Sequence, residues 1–130
     1  MLLYLVRHGI AVDRAEHGRG ASHSLHAGHD MMPDAERPLT LRGRKRARAA
    51  AEGLRVLGAK PDAMFSSPLV RAEQTCRLFA HVFDFPADKI RLTEALRSGS
   101  AAVDLLREGA ETVDDIREGR MLSGAPNRHQ

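Results

Sequence analysis

The chain has 130 residues, 28% of them charged, with a formal net charge of +3 and a single cysteine. That length suits one domain, residues 1–130, with a hydrophobic core of its own. One cysteine excludes an internal disulfide framework and fits a reducing cytoplasm, no apolar run reaches membrane-spanning length, and the positive balance suits an anionic ligand.

The opening stretch MLLYLVRHG predicts a buried strand over Leu2–Val6. Arg7 interrupts it too early for a signal-peptide core. Open α/β folds hold ligands outside the carboxyl ends of their strands, so Arg7 and His8 are expected at the mouth of a cleft, with Gly9 letting the backbone turn. Residues 13–33 are rich in Gly, His, Ser and Met without apolar period, which reads as a long loop. Within it His17, His23, His26, His29 and Asp30 have spacings that can gather imidazoles around a metal or into a lid. Without cysteines or a fixed scaffold the preferred reading is a solvated loop, and no metal is expected.

Thr40 is placed as the N-cap of a helix whose buried stripe is Ala47, Ala50, Leu54 and Leu57, ended by Gly58 and Pro61. The run RGRKRAR at 42–48 falls mostly on the opposite face. With no aromatic side chains interleaved for base stacking, it reads as a solvated face rather than a nucleic-acid site. AMFSS reads as a second strand. Pro68 suits the first turn of a second helix running to about Phe85, with Leu69, Ala72, Cys76, Phe79 and Phe83 on one face. Cys76 is then a core residue, and His81, off the stripe, a surface one. IRLTEAL reads as a third strand or extended segment, and Ala101–Glu108 as a short helix ended by Gly109.

The order β-loop-α-β-α-β-α predicts an α/β fold, a three-layer, mostly parallel sheet with helices on both faces. Val113 leads where another buried strand is expected. Residues 114–130 are instead polar, carry Gly and Pro, and read as coil with at most one turn of helix. His129 belongs to this frayed end.

Three stretches place an arginine beside a predicted strand end or helix start: LVRHG at 5–9, ERPLT at 36–40 and SSPLVRAEQT at 66–75. Arg7, Arg37 and Arg71 can therefore surround His8, with the N-terminus of the second helix aimed at the same spot. Three guanidiniums and a helix N-terminus suit a tetrahedral dianion. Positive surroundings favour a neutral imidazole, which is a nucleophile.

These motifs, in this order, resemble the histidine phosphatase superfamily over residues 1 to about 113. The short N-terminus and the R-P-L-T link resemble most its small bacterial branch, the phosphohistidine phosphatases of the SixA type, with a phosphoglycerate mutase-like fold. The resemblance implies His8 as the phosphorylated nucleophile, with Arg7 and Arg71 beside it in catalysis. It implies Arg7, Arg37 and Arg71 as the phosphate clamp, and neither cofactor nor metal. Glu94, in LTEAL, is the candidate acid, against the plainer reading of a surface glutamate. The implied substrate is a phosphohistidine protein or a small phosphorylated molecule, hydrolysed in the cytoplasm by transfer to His8 and then to water, with no nucleic-acid or membrane partner. The family's second catalytic histidine, in an apolar run ending V-G-H, has no counterpart after Val113. A truncated or divergent member is therefore expected, impaired in turnover. The alternatives are a non-catalytic phosphate- or phosphoprotein-binding module and an inactive truncated product.

Overall fold

The computed structural model describes residues 2–13, 32–97 and 102–118. In chain order its regular elements are helix α1 (Leu41–Val56), strand β1 (Phe65–Ser66), helix α2 (Val70–Val82), strand β2 (Arg91–Leu92) and helix α3 (Ala102–Arg117). Single 3-10 turns lie at Asp34–Glu36, Ala87–Lys89 and Glu94–Leu96. The class is α/β, as expected. β1 and β2 pair in parallel, Phe65 opposite Arg91 and Ser66 opposite Leu92, and α2 makes the crossover between them.

Thr40 caps α1 as the sequence predicts, its Oγ1 accepting from the Gly43 amide at 2.8 Å. The buried line of the helix is Gly43, Ala47 and Ala51, spaced by four. Ala50 is exposed and Leu57 is 83% exposed, which corrects the predicted stripe. Three consecutive alanines at 49–51 leave the apolar period ambiguous by one residue, and Leu57 already lies past the helix, where its amide closes the last turn onto the Gly53 carbonyl. Gly58, at φ +92°, then reverses the chain.

Small residues on α1 let α2 pack close, and Ala47, Ala51 and Phe79 form the centre of the core. Leu54, Met64, Leu78, Val82 and Phe83 cover it. The buried line of α2 is Arg71, Thr75, Phe79 and Ala80, which corrects the predicted stripe: Leu69, Ala72 and Cys76 are only partly buried. The burial that Cys76 has pushes its thiol up to about 11. α2 stops at Val82, short of Phe85, because Asp84 turns left-handed (φ 55°) and the Phe85 amide reaches back to the Ala80 carbonyl.

Two expectations are overturned. Residues 2–6 are not a strand: Leu2, Leu3, Tyr4, Leu5 and Val6 are all exposed, between 44% and 76%. A strand exists only through hydrogen bonds to a neighbour, and no described segment pairs with these residues. The C-terminal helix does not stop at Gly109 either; it runs through that glycine to Arg117, so residues 114–117 are helical rather than coil. Polar anchors carry it past the glycine: Arg91 donates to Thr112 Oγ1 (3.1 Å), and Thr93 Oγ1 donates to Glu108 Oε2 (2.7 Å). Thr112 and Thr93 are both buried. No described helix is long and apolar enough to cross a membrane. The histidine-rich loop and His129 lie outside the described residues.

Candidate active site

The segment after Val6 is stitched to both helices. The Ile10 carbonyl accepts from the Thr40 amide (2.8 Å), and the Val12 amide donates to the Pro38 carbonyl (2.9 Å), around an antiparallel bridge between Ala11 and Leu39. Leu39 is itself buried, and its amide donates to Gln74 Oε1 of α2 (2.8 Å). The Gly9 amide donates to Thr75 Oγ1 (3.0 Å), while the Thr75 hydroxyl bonds back to the Arg71 carbonyl (2.8 Å). Gly43 makes this approach physically open: a Cβ there would stand 2.2 Å from the Ile10 carbonyl oxygen. R-P-L-T and R-A-x-Q-T thus do two jobs each, carrying an arginine and holding the backbone of residues 9–12.

His8 emerges at the head of that stitched segment. Its Nδ1 lies 2.7 Å from the Gly9 carbonyl and its Nε2 lies 3.2 Å from Arg71 Nε. A carbonyl can only accept and a guanidinium can only donate, so both contacts are satisfied when the ring proton sits on Nδ1 and Nε2 keeps its lone pair. The backbone thus fixes Nδ1 and leaves the Nε2 lone pair facing the Arg71 guanidinium.

Arg71 projects from the first turn of α2 and is 8% exposed. Besides His8 it donates to the Asp34 carbonyl (2.8 Å) and to Asp34 Oδ2 (3.2 Å). Arg37 reaches the same aspartate: its Nε and NH2 lie 2.9 and 2.7 Å from Oδ1, and NH1 donates to the Val12 carbonyl (2.9 Å). The hydrogen bond from Arg37 holds the Asp34 carboxyl below its ordinary range, and Arg71 adds to the effect.

An open cleft beside these groups is lined by Arg7, His8, Arg37, Arg46, Thr75 and Phe79, among others. His8 is the one histidine on its wall among the described residues. Arg7, His8 and Arg37 are thus brought to one cleft, and Arg71 is joined to it through His8. Glu94 is not: it is exposed, ion-paired with Arg97 at 3.2 Å, and absent from the cleft wall.

Sequence reasoning did not pick out Asp34, Gln74, Thr75 or Arg46. The signals were present. Asp34 precedes Arg37 by three and Thr75 follows Arg71 by four, spacings that meet on one side of a helical turn.

The model of the histidine phosphatase superfamily (branch 1) matches residues 3–102. The chain belongs to that superfamily. It is 39% identical over 80 residues to an uncharacterized protein of Picosynechococcus, covering 62% of this chain and 40% of that one. It is 30% identical over 98 residues to the mitochondrial serine/threonine-protein phosphatase Pgam5 of Drosophila mojavensis, covering 75% of this chain and 28% of that protein. Among solved structures it matches the protein histidine phosphatase SixA complexed with tungstate, with TM-score 0.59 and 24% identity, over 86% of this chain and 59% of that one. A SixA chain from Agrobacterium tumefaciens gives TM-score 0.58 and 19% identity, over 81% and 57%. These structural matches establish the fold, which is that of the SixA chains. The chain spans less than two thirds of the length of each of these proteins.

Proposed function

We propose that this chain is a phosphohistidine phosphatase-like hydrolase in which His8 accepts a phosphoryl group and passes it to water. The observation that carries the reading is the pairing of His8 with its surroundings. Nδ1 is fixed on the Gly9 carbonyl, the Nε2 lone pair faces Arg71, and Arg7 and Arg37 line the same cleft as His8. Membership of the superfamily and the likeness to a tungstate-bound SixA support it, since tungstate is a tetrahedral oxyanion like phosphate.

In the first step His8 Nε2 attacks phosphorus in line, the bond from phosphorus to the substrate's nitrogen breaks, and the electron pair returns to the leaving imidazole. The other nitrogen of that imidazole carries a proton, so it departs neutral while phospho-His8 takes the positive charge. The arginines hold the oxygens of the transferring group. In the second step water attacks phospho-His8, releasing inorganic phosphate and restoring the imidazole. Transfer between two imidazoles is close to balanced in energy, so the first step makes little demand on a general acid. That suits a site where Glu94 lies off the cleft wall. The substrate is a phosphohistidine protein or a small phosphorylated molecule, and the setting is the cytoplasm.

A second reading is a phosphate-binding module without turnover. It is favoured by the single imidazole on the described cleft wall. Turnover of a phosphohistidine peptide separates the two. The hydrolase reading expects phosphate release and a trapped phospho-His8, both lost in His8→Ala. The binding reading expects phosphate retention without release, weakened by roughly tenfold or more in Arg71→Ala, the scale of a hydrogen bond to a charged group.

A further inference from the structure

The clamp is already occupied. Arg71 directs one N–H at His8 Nε2, one at the Asp34 carbonyl and one at the Asp34 carboxylate. Arg37 directs Nε and NH2 at the other oxygen of the same carboxylate and NH1 at the Val12 carbonyl. A guanidinium has five N–H donors, so each arginine spends most of its capacity on this arrangement. Asp34 bridges the two guanidiniums just as a shared oxyanion would. Meanwhile Arg71 Nε donates into the lone pair that must attack phosphorus.

We propose that Asp34 is a built-in occupant of the oxyanion clamp, a latch that holds Arg37 and Arg71 on one carboxylate and keeps Arg71 across the His8 lone pair until a phosphoryl group displaces it. The inference rests on the clamp reading above. Asp34 is placed for such movement. Its side chain is 52% exposed, it belongs to a single 3-10 turn over Asp34–Glu36, and no residue of that turn is buried. Swinging the carboxylate into solvent therefore breaks ion pairs and little packing. The two arginines keep the carboxyl ionised, so the latch carries its charge throughout the neutral range. An incoming tetrahedral dianion brings more charge and more acceptor oxygens than a carboxylate. It takes over the guanidinium N–H groups, and Arg71 turns away from Nε2. The nucleophile is thereby uncovered only when its substrate is in place.

The alternative role for Asp34, holding the arginines in their working geometry, predicts the opposite sign, which makes the test direct. Tungstate is titrated calorimetrically into the full chain and into Asp34→Asn and Asp34→Ser, the second guarding against a poorly folded first variant. In parallel, the rate at which diethyl pyrocarbonate acylates His8 is followed by mass spectrometry of the peptide. Release of the latch is expected to tighten tungstate binding by about three- to tenfold, the scale of one or two exposed ion pairs. It is also expected to speed His8 acylation by a similar factor. Unchanged or weaker tungstate binding in both variants overturns the latch and leaves the clamp standing. Absence of tungstate binding in the native chain and both variants overturns the clamp reading, and the latch with it.

Discussion

Two halves of the first dozen residues behave oppositely. Residues 8–12 are held by backbone hydrogen bonds to Pro38 and Thr40 and by side chains from α2. Residues 2–6 are more apolar, yet they lie exposed. Hydrophobicity alone does not make a strand; it must be matched by hydrogen-bond partners and a surface to cover. Residues 8–12 find their hydrogen-bond partners in the R-P-L-T and R-A-x-Q-T segments, which lie in the described chain. The apolar half finds neither among the described residues.

The sharpest way to break this contrast is at Gly43. A Cβ at that position meets the Ile10 oxygen at 2.2 Å and the Ile10 nitrogen at 3.0 Å. These are backbone atoms that cannot rotate away, so residues 8–12 must lift from α1. Gly43→Ala is expected to lower unfolding free energy by roughly 1–3 kcal/mol, despite alanine's better helix propensity. Gly53, on the same helix, has nothing within 4 Å of its would-be Cβ. There the same change is expected to stabilise by about 0.5–1 kcal/mol. Denaturant unfolding of the two variants reads the pair of signs; two changes of equal sign would show that α1 does not carry the stitched segment.

Thr75 tests the other side of the seam. Its hydroxyl accepts from the Gly9 amide and is buried, 5% exposed. Thr75→Val keeps the shape and leaves that amide unpaired, at an expected cost of about 1–2 kcal/mol. Because Gly9 is the residue whose carbonyl holds His8 Nδ1, the variant should also lower phosphoryl transfer to His8 while leaving the far end of α2 unperturbed. Amide exchange that accelerates at Gly9 before any other site of the core would place the loss there.

These contacts explain what could and could not be read in advance. α1 and its Thr40 cap, the parallel pairing and the arginine motifs were legible because each is fixed by neighbours in sequence or by a short motif, whereas Pro68, expected in the first turn of α2, stands before its Leu69 N-cap. The buried line of α1 was misread at Ala50 and Leu57, where a run of alanines offers several equivalent faces. The strand at Leu2–Val6 was misread because a strand's existence depends on a partner, which its own residues do not encode. The course of α3 through Gly109 was missed for a related reason: a glycine costs a helix only about 1 kcal/mol, and the contacts of Thr112 and Glu108 with Arg91 and Thr93 outweigh that. Asp34 was passed over because its importance lies in two arginines 34 residues apart meeting on it.

The smallest effect is the most discriminating for the first comparison. Leu5 is 75% exposed although it sits three residues before His8. If its side chain lies in solvent, replacing it removes almost no burial, and Leu5→Ser should change unfolding free energy by less than about 0.5 kcal/mol. A leucine buried in a central strand would instead cost roughly 2–5 kcal/mol when truncated, so the two arrangements differ well beyond the error of a denaturant titration. The measurement is best made at several protein concentrations. A cost that is negligible in dilute solution and grows with concentration would mean that residues 2–6 find their missing partner in another chain. A large cost at every concentration would return these residues to a buried strand within the same molecule, and the contrast between the two halves of the segment would disappear.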